Sequence, residues 1–455
     1  MLPYFVIWVS VTLVLVYGTR GRDNRKHMAE VLPFQGVRFN TDRITDPENV
    51  IAPPYDVIYQ SDRITLEKQH PNNIVRLILS QPTDQDTDQD NQYTRAANSL
   101  RKWLQDGILL QDSKPCYYIY DQDFITPDGK NYTRRALVAV GKLHQFADRV
   151  ILPHEKTLAA PKADRLNLMR QTHAQLSPIF LLYSDQERII EQEMEAFTQN
   201  HRPLMDLSEK FGSTHRVWKV DDITVGQRIR QSFVNKSLLI ADGHHRYETA
   251  LAFRDEMKAK NQDWSLQDSC NYVMMNLVCM ESDGLAVLPI NRLLHNLDPA
   301  VIQKVQNEII SRFELQVFGD LGSLKSAQSK LAGVKPSFGY YTGGSQFQLI
   351  IAQPPSQTES SLNRLDIKIL HDQIIKNIFG VDTTVAEDQK KISYKANTEQ
   401  AIESVASGEF QVAILPNPTS VSQVYDVALE GETMPQKSTF FYPKLATGIA
   451  IHLIS

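Results

Sequence analysis

A short apolar segment that leads through a glycine into a helical pattern places the strongest constraint on the fold. Residues 237–240, Ser-Leu-Leu-Ile, have the length and composition of a buried strand, and the residues after Arg246 have a helical pattern. Gly243 lies between them, and glycine most easily adopts the backbone of a sharp turn. Strand and helix patterns alternate along much of the chain. We therefore predict an α+β (mixed α/β) fold.

The turn itself is rich in groups that bind anions. The first amides of a helix have no partner within the helix and, with the helix dipole, attract phosphate groups. An arginine can hold two phosphate oxygens at once, and an imidazole can donate a further hydrogen bond. The predicted phosphate site consists of Gly243, His244, His245 and Arg246, and Asp242 is predicted to bind Mg²⁺ or to orient a histidine. In the alternative interpretation, the glycine only permits the turn and the polar residues cap the helix.

Hydrophobic patterns predict other elements. Two alternating runs joined by Thr-Pro-Asp-Gly indicate a β-hairpin over 116–124 and 132–143. Residues 73–79 are predicted to form a strand, and residues 93–107 a helix that ends at a glycine. Residues 145–175 show no strong period, and we expect a loop that carries binding residues.

We predict four regions and one linker. The linker is the Pro-, Ser- and Gln-rich stretch 354–361, followed by a long amphipathic helix at 362–379. The regions are an apolar extension at 1–27, a core at 28–290 that contains the glycine turn, a small α/β region at 291–353, and a C-terminal α/β region at 362–455 that closes the site.

The first 27 residues differ from the rest of the chain. Residues 2–18 carry no charge, and four cations follow them between positions 20 and 26. Translation from upstream of Met28, a membrane anchor and a secretion signal all stay open, although a cleavage site of small residues is not evident. Because the cations follow the apolar run, an anchor would leave the body in the cytoplasm. The cytoplasm is the predicted location of the body in each interpretation except secretion.

The charge balance argues against nucleic acid as a partner. The chain has 48 Lys and Arg against 53 Asp and Glu, whereas a duplex-binding surface concentrates cations to neutralise phosphates. The three cysteines, Cys116, Cys270 and Cys279, form no close pair and predict neither a disulfide framework nor a zinc site. A small-molecule substrate is therefore the predicted partner, and the oligomeric state stays open; a nucleotide partner is implied only by the resemblance described next.

Several longer stretches of sequence resemble one family. Residues 242–250, Asp-Gly-His-His-Arg-Tyr-Glu-Thr-Ala, resemble the nucleotide-phosphate motif of the ParB/sulfiredoxin superfamily, whose free-serine kinases carry a related D-G-H motif. Nearly all of residues 31–449 resembles a bacterial and archaeal family called domain of unknown function 1015. The matching stretches begin at Pro33, Ala52, His70, His154, Asp164, Asp242 and Met434. The resemblance implies a ParB/sulfiredoxin-like nucleotide-binding core with added mixed-sheet regions.

One departure from the superfamily motif narrows the chemistry. Sulfiredoxins place a nucleophilic cysteine where this chain has His244, so reduction through a thiol is not expected. The free-serine kinases are the nearest functional analogue that remains. This resemblance implies ATP or ADP as the phosphate donor, together with Mg²⁺.

Phosphoryl transfer also needs a carboxylate that accepts the hydroxyl proton. Asp56 is the first candidate, because two prolines restrict the backbone just before it, and Glu155 is the second. His244 is the third predicted catalytic residue. The predicted substrate contacts are His154, Arg165, Lys437, Ser438 and Lys444. Structural alternatives stay open: a capping turn at Asp56, a solvated loop near residue 154, and a packed strand near residue 440.

The sequence therefore predicts a nucleotide-dependent phosphotransferase, resembling free-serine kinases, that acts on a small hydroxyl metabolite. Two alternatives remain. The first is a non-enzymatic module in which bound nucleotide switches a partner-binding surface. The second is a phosphatase of small phosphate esters that uses the same phosphate cradle.

Overall fold

The computed structural model describes residues 29–210 and 212–454. The apolar extension predicted at 1–27 lies outside the described residues. Within them, the strands in chain order are β1 (Val31–Leu32), β2 (Val37–Phe39), β3 (Leu109–Gln111), β4 (Tyr117–Ile125), β5 (Asn131–Lys142), β6 (Ile151–Leu152), β7 (Ala174–Gln175), β8 (Ile179–Tyr183), β9 (Met205–Lys210), β10 (Ser213–Val220), β11 (Leu238–Asp242), β12 (Tyr272–Cys279), β13 (Ala286–Leu288), β14 (Asn291–Leu294), β15 (Glu314–Phe318), β16 (Ser337–Tyr341), β17 (Phe347–Ile351), β18 (Ile392–Lys395), β19 (Val412–Pro416), β20 (Phe440–Tyr442) and β21 (His452–Leu453).

Helices alternate with these strands along most of the chain. In order they are α1 (Gln60–Gln69), α2 (Val75–Ile78), α3 (Gln92–Gln105), α4 (Ala159–Thr172), α5 (Ile189–Asn200), α6 (Ile223–Ser232), α7 (His244–Lys260), α8 (Pro299–Arg312), α9 (Leu321–Leu331), α10 (Asp366–Ile369), α11 (Ala386–Gln389), α12 (Thr398–Ala406) and α13 (Val421–Leu429). Helix α10 continues as a π-helix over Leu370–Lys376.

A mixed nine-stranded sheet forms the first half of the molecule. Its strand order is β6-β11-β8-β12-β5-β4-β10-β9, and β1 pairs with β5. Strand β11, which leads into the glycine turn, pairs antiparallel with β8, and β8 pairs parallel with β12. The α+β fold class is therefore confirmed.

A second, antiparallel sheet has the order β15-β17-β16-β19-β14-β18. It takes strands β14 to β17 from before the predicted linker and strands β18 and β19 from after it. The boundary predicted at 354–361 therefore falls within one sheet. Backbone pairing between β16 and β19 joins the two predicted regions, and a single sequence does not reveal such long-range pairing.

The end of the chain forms two small antiparallel sheets with earlier strands. Strand β20 pairs with β13, and β21 pairs with β7. Met434, Phe441 and Leu445 are buried in a core that continues from the nine-stranded sheet to the six-stranded sheet. We call residues 434–444 the C-terminal strap, because this segment crosses beside the glycine turn.

Most local predictions are confirmed, and two are wrong. The hairpin of β4 and β5, and helix α3 followed by Gly107 at φ +69°, are as expected. The strand predicted at 73–79 is instead helix α2, where the buried Asn73 side chain accepts a hydrogen bond from the Val75 amide. A short apolar run that is buried on all sides carries no period that separates strand from helix.

The second wrong prediction is the loop at 145–175, where residues 159–172 form α4. Helix α4 packs against both α3 and α7, so apolar positions fall on more than one side and blur the helical period. The amphipathic helix predicted at 362–379 is present but shorter, spanning α10 and its π-helical continuation.

Among residues 29–210 and 212–454, no helix is both long and apolar enough to cross a bilayer.

Candidate functional site

The site is built on the turn between β11 and α7. Gly243 has φ +99°, and α7 begins at His244 with no side-chain cap on its first amides in the described structure. The first backbone hydrogen bond of the helix runs from the Tyr247 amide to the Gly243 carbonyl, at 2.9 Å. The polar residues of the motif therefore do not cap the helix. Its first amides keep the positive end of the helix dipole available for an anion.

Two cations converge on the carboxylate that ends β11. Arg246 Nη2 lies 2.5 Å from Asp242 Oδ2, and Nη1 donates to the Pro178 carbonyl. Lys444, from the C-terminal strap, contacts Asp242 Oδ1 and lies 3.5 Å from Asp56 Oδ2. The fold thus brings two cations and two carboxylates from three distant segments together at the N-terminus of α7.

The two candidate bases of the site have opposite pKa shifts. Burial alone would raise the pKa of Asp56, but the charges of Lys444 and Arg246 outweigh it and lower this pKa. Burial raises the pKa of Glu155, and the Lys437 amide and the nearby cations only partly oppose that rise. Glu155 therefore holds a proton more readily than Asp56 does.

Two predicted histidines support the turn from inside the protein. His154 is buried, with Nδ1 2.7 Å from the Ile240 carbonyl and Nε2 3.0 Å from Thr439 Oγ1, so both ring nitrogens are used within the protein. The His154 amide donates to His244 Nε2, and the two rings meet edge to face at 4.6 Å. Burial lowers the pKa of His154 to about 4 and that of His244 well below its usual range. Both rings are neutral, and their hydrogen bonds join β11 to the C-terminal strap.

His245, the other histidine of the motif, points toward the start of α4. Its Nε2 accepts a hydrogen bond from the Leu158 amide at 2.9 Å. One turn further, Glu248 accepts hydrogen bonds from Thr157 and Lys162. These contacts fasten the start of α4 to the start of α7.

The remaining predicted residues differ in their availability. The Ser438 hydroxyl is buried and donates to the Pro435 carbonyl at 2.5 Å. Lys437 is exposed, has φ +58°, and lies close enough to the site to influence the pKa of Glu155. Arg165 is held by Asp164 and by the Ile78 carbonyl, beside the site rather than at its centre. Lys437 and Lys444 are therefore the cations of the C-terminal strap that can reach a ligand.

Two buried arginines that the sequence analysis did not single out hold the C-terminal strap in place. Arg134 Nη2 donates to the Pro443 carbonyl at 2.5 Å and Nη1 to the Tyr442 carbonyl at 3.3 Å. Arg292 Nη2 donates to the Lys437 carbonyl at 3.0 Å. Burial lowers the pKa of each arginine to about 10, so both stay charged at neutral pH. Each end of the C-terminal strap is thus fixed by a guanidinium beneath it.

No three His, Cys, Asp or Glu side chains gather as a ready metal site in the part of the chain that the structure describes. Asp56 and Asp242 nevertheless present carboxylate oxygens to one ammonium group, that of Lys444. Mg²⁺ commonly uses one or two carboxylates together with phosphate oxygens of a ligand. These two residues fit such a site only with ligand phosphates present.

We expect Gly243→Ala to damage both stability and the site. A Cβ at this position would lie 3.1 Å from the guanidinium of Arg246, and the left-handed backbone costs an L-residue about 1–2 kcal/mol. Urea unfolding should show a loss of about that size, and pyrophosphate binding should weaken. Gly226→Ala in α6 is the control, because its Cβ would meet Tyr117 only at 3.4 Å and alanine favours a helix. Equal effects of the two substitutions would contradict this expectation.

The sequence and structural similarities of the chain to single known proteins are weak or absent. No curated protein matches the chain by sequence. A mutant free serine kinase in complex with AMP is 14% identical, with TM-score 0.35, over 67% of this chain and 89% of that chain. A conserved hypothetical protein from Pyrococcus furiosus is 14% identical, with TM-score 0.33, over 67% and 92%. SbnI with a C-terminal truncation, from Staphylococcus aureus, is 11% identical, with TM-score 0.34, over 69% and 87%.

A family model described as a protein of unknown function, DUF1015, matches residues 31–368, which include both sheets in large part and the whole glycine turn. The chain therefore belongs to the DUF1015 family.

Proposed function

We propose that the turn between β11 and α7 binds the phosphates of ATP or ADP and that the protein transfers a phosphoryl group from it to a small hydroxyl metabolite. One observation carries the proposal: Lys444 and Arg246, from distant parts of the chain, meet at Asp242 beside the uncapped amides of α7. Amides at a helix N-terminus and a pair of cations are the groups that bind and neutralise phosphate oxygens.

Phosphate binding requires the two cations to exchange partners. In the structure, Asp242 pairs with both Arg246 and Lys444. Arriving phosphates compete for the same two cations and offer more negative charge. Lys444 carries a single ammonium group on a flexible stem, shared between Asp242 and Asp56, whereas the planar guanidinium of Arg246 is also held by the Pro178 carbonyl.

The transfer step needs a base and charge neutralisation. The hydroxyl oxygen of the acceptor attacks the terminal phosphorus, its proton passes to a carboxylate, and the bond to the bridging oxygen breaks as the shortened nucleotide leaves. Glu155 is the better base by its raised pKa, because a base works best when its pKa approaches the working pH. Asp56, whose pKa is lowered, is better suited to remain ionised beside a cation.

Bound Mg²⁺ would neutralise charge on the transferred phosphate, and Asp242 with Asp56 would hold it. The remaining roles fall to other residues of the chain. Arg246 and the α7 amides hold the phosphates, Lys444 and Lys437 neutralise them from the side of the C-terminal strap, and Glu155 takes the proton.

The test is turnover with purified protein, ATP or ADP, Mg²⁺ and a panel that contains serine and related hydroxyl metabolites. We expect a phosphorylated product by mass spectrometry, and a loss of at least 100-fold for Glu155→Gln, the size typical of a missing general base. Lys444→Met should weaken pyrophosphate binding at least tenfold. Lys114→Met, at an exposed lysine, is the matched control.

Other results would support the alternatives. Tight nucleotide binding without product across the panel would favour the non-enzymatic module. Release of phosphate from phosphoserine, with no transfer in the forward direction, would favour the phosphatase. Unchanged pyrophosphate binding by Lys444→Met and Arg246→Met would contradict the phosphate site itself.

A further inference from the structure

The second sheet reaches the candidate site through one buried arginine. Arg292 lies on β14 and is 0% exposed. Its three nitrogens each have a partner: Nε donates to His371 Nε2 at 3.4 Å, Nη1 donates to the Ile290 carbonyl, and Nη2 donates to the Lys437 carbonyl at 3.0 Å. Each nitrogen of the guanidinium is therefore held, and one of them reaches the C-terminal strap.

The histidine that contacts Arg292 orients the guanidinium. His371 is buried on the π-helix Leu370–Lys376, and its Nδ1 lies 3.3 Å from Thr383 Oγ1. Burial and the charge of Arg292 lower the pKa of His371 to about 3, so its ring is neutral at pH 7. A neutral ring that accepts a hydrogen bond at Nε2 carries its proton at Nδ1, where it can donate to Thr383. The π-helix therefore holds the guanidinium in one orientation.

Lys437 extends this support to Glu155. Its carbonyl accepts a hydrogen bond from Arg292, and its own amide donates to Glu155 Oε1 at 3.4 Å. Lys437 has φ +58°, a backbone that residues other than glycine seldom adopt. The backbone of Glu155 pairs separately with Met434 of the same strap. In the described structure, the Lys437 amide is thus the contact that orients the carboxyl group of Glu155.

We propose that Arg292 is a positioning residue for phosphoryl transfer, which rests on the function proposed above with Glu155 as the base. It holds the Lys437 amide against Glu155 Oε1 and so leaves Oε2 to take the proton of the acceptor hydroxyl. Because Arg292 is fully buried, it acts through Lys437 and not on a ligand. A reacting group displaced by about 1 Å can lose roughly a hundredfold in rate. The second sheet thus takes part in the reaction without contacting the substrates.

The experiment is a double-mutant cycle on the full chain, with ATP, Mg²⁺ and the acceptor of the panel that the parent protein phosphorylates. Arg292→Met should lower kcat about 100-fold when Glu155 is present. In the Glu155→Gln background it should cost less than about fivefold, because no base remains to be positioned. Arg292→Lys should recover part of kcat, since an ammonium group cannot serve three acceptors at once. Arg312→Met is the control and should change kcat in neither background, because Arg312 pairs with Glu308 at the surface of α8.

The opposing outcomes are distinct, provided that urea unfolding first identifies a temperature at which the variants are folded. An equal loss of kcat in both backgrounds, or no loss, would overturn the positioning role and leave the proposed function intact. Unfolding of both Arg292→Met and Arg292→Lys would also overturn it, because Arg292 would then serve stability alone. If Glu155→Gln keeps the full kcat, the base is another residue and the positioning role fails. If the parent protein forms no product, the proposed function itself fails.

Discussion

Lowering the pH from about 7 to 4 is expected to unfold the protein, because several of its histidines are buried in the neutral form. Burial lowers the pKa of His154, His215 and His452 to about 4 and that of His371 to about 3. It lowers the pKa of His244 well below its usual range. In the unfolded chain these groups titrate near the ordinary value of about 6.5.

The sign of the effect follows from proton binding. Between about pH 6.5 and 4, the unfolded chain binds more protons than the folded protein does, so the free energy of unfolding falls as the pH falls. Each histidine shifted from 6.5 to about 4 accounts for roughly 3 kcal/mol, since one pKa unit is worth about 1.4 kcal/mol. A few such groups together match the whole stability of a typical domain, about 5–15 kcal/mol.

Urea unfolding at several pH values between 7 and 4 measures this loss. The urea midpoint should fall steadily below pH 6.5. His452→Leu removes one of these histidines and should therefore reduce the pH dependence of the urea midpoint by the contribution of one histidine. His452 is chosen because its Nε2 is buried without a hydrogen-bond partner in the described structure. A urea midpoint that stays constant from pH 7 to 4 would show that the imidazoles charge without cost.

The sequence was informative where chemistry and local structure coincide in one segment. The strand, the turn at Gly243 and the helix after it are confirmed. A glycine between an apolar run and a helical pattern favours a sharp turn between a strand and a helix. The mixed fold class followed from the same alternation. Asp242 and Lys444 were both named as site residues, but that they touch depends on tertiary packing that no local pattern contains.

Other parts of the site depend on side-chain orientation and tertiary packing. His154 was predicted to contact substrate, but both of its ring nitrogens bind within the protein, and sequence does not show which way a side chain points. Arg165 shows the same difficulty, since it was predicted to contact substrate but is held by Asp164 and the Ile78 carbonyl. It lies on α4, where the sequence predicted a loop.

Arg134 did leave a signal that the sequence analysis passed over. On β5, alternate residues share a face, and Arg134 lies on the same face as the buried Ala136, Val138 and Val140. An arginine on the apolar face of a strand is rarely buried unless its donors are satisfied. The pattern therefore marks a position where a guanidinium holds something over the sheet.

Replacing Arg134 by methionine is expected to cost about 3–5 kcal/mol of stability and to release the end of the C-terminal strap that carries Lys444. The substitution removes the donors to the carbonyls of Tyr442 and Pro443 and to the side chain of Gln122. A buried acceptor left without its donor costs about 1–3 kcal/mol. Methionine still fills the space between the rings of Phe124 and Phe180, so the cavity term is small.

Two opposing effects decide the size of this loss. Removing Arg134 also removes a charge that burial disfavours, as its lowered pKa of about 10 shows. The cost of leaving the carbonyls without donors outweighs the gain from removing a buried charge. The guanidinium remains protonated at neutral pH, and its hydrogen bonds already offset much of its desolvation cost. Arg134→Lys should recover part of the stability, since one ammonium can serve a carbonyl but cannot reproduce the planar fork.

Urea unfolding and pyrophosphate titration together separate the two roles of Arg134. We expect lower stability and weaker pyrophosphate binding in Arg134→Met at a temperature where the variant is still folded. The position of Lys444 depends on the Tyr442 and Pro443 backbone that Arg134 holds. Arg216→Met on β10, which pairs with β4 and not with β5, is the control, since its partner Asp123 is partly exposed and such pairs are worth below about 1 kcal/mol. If Arg134→Met loses stability but binds pyrophosphate like the parent protein, the guanidinium supports the fold without positioning Lys444.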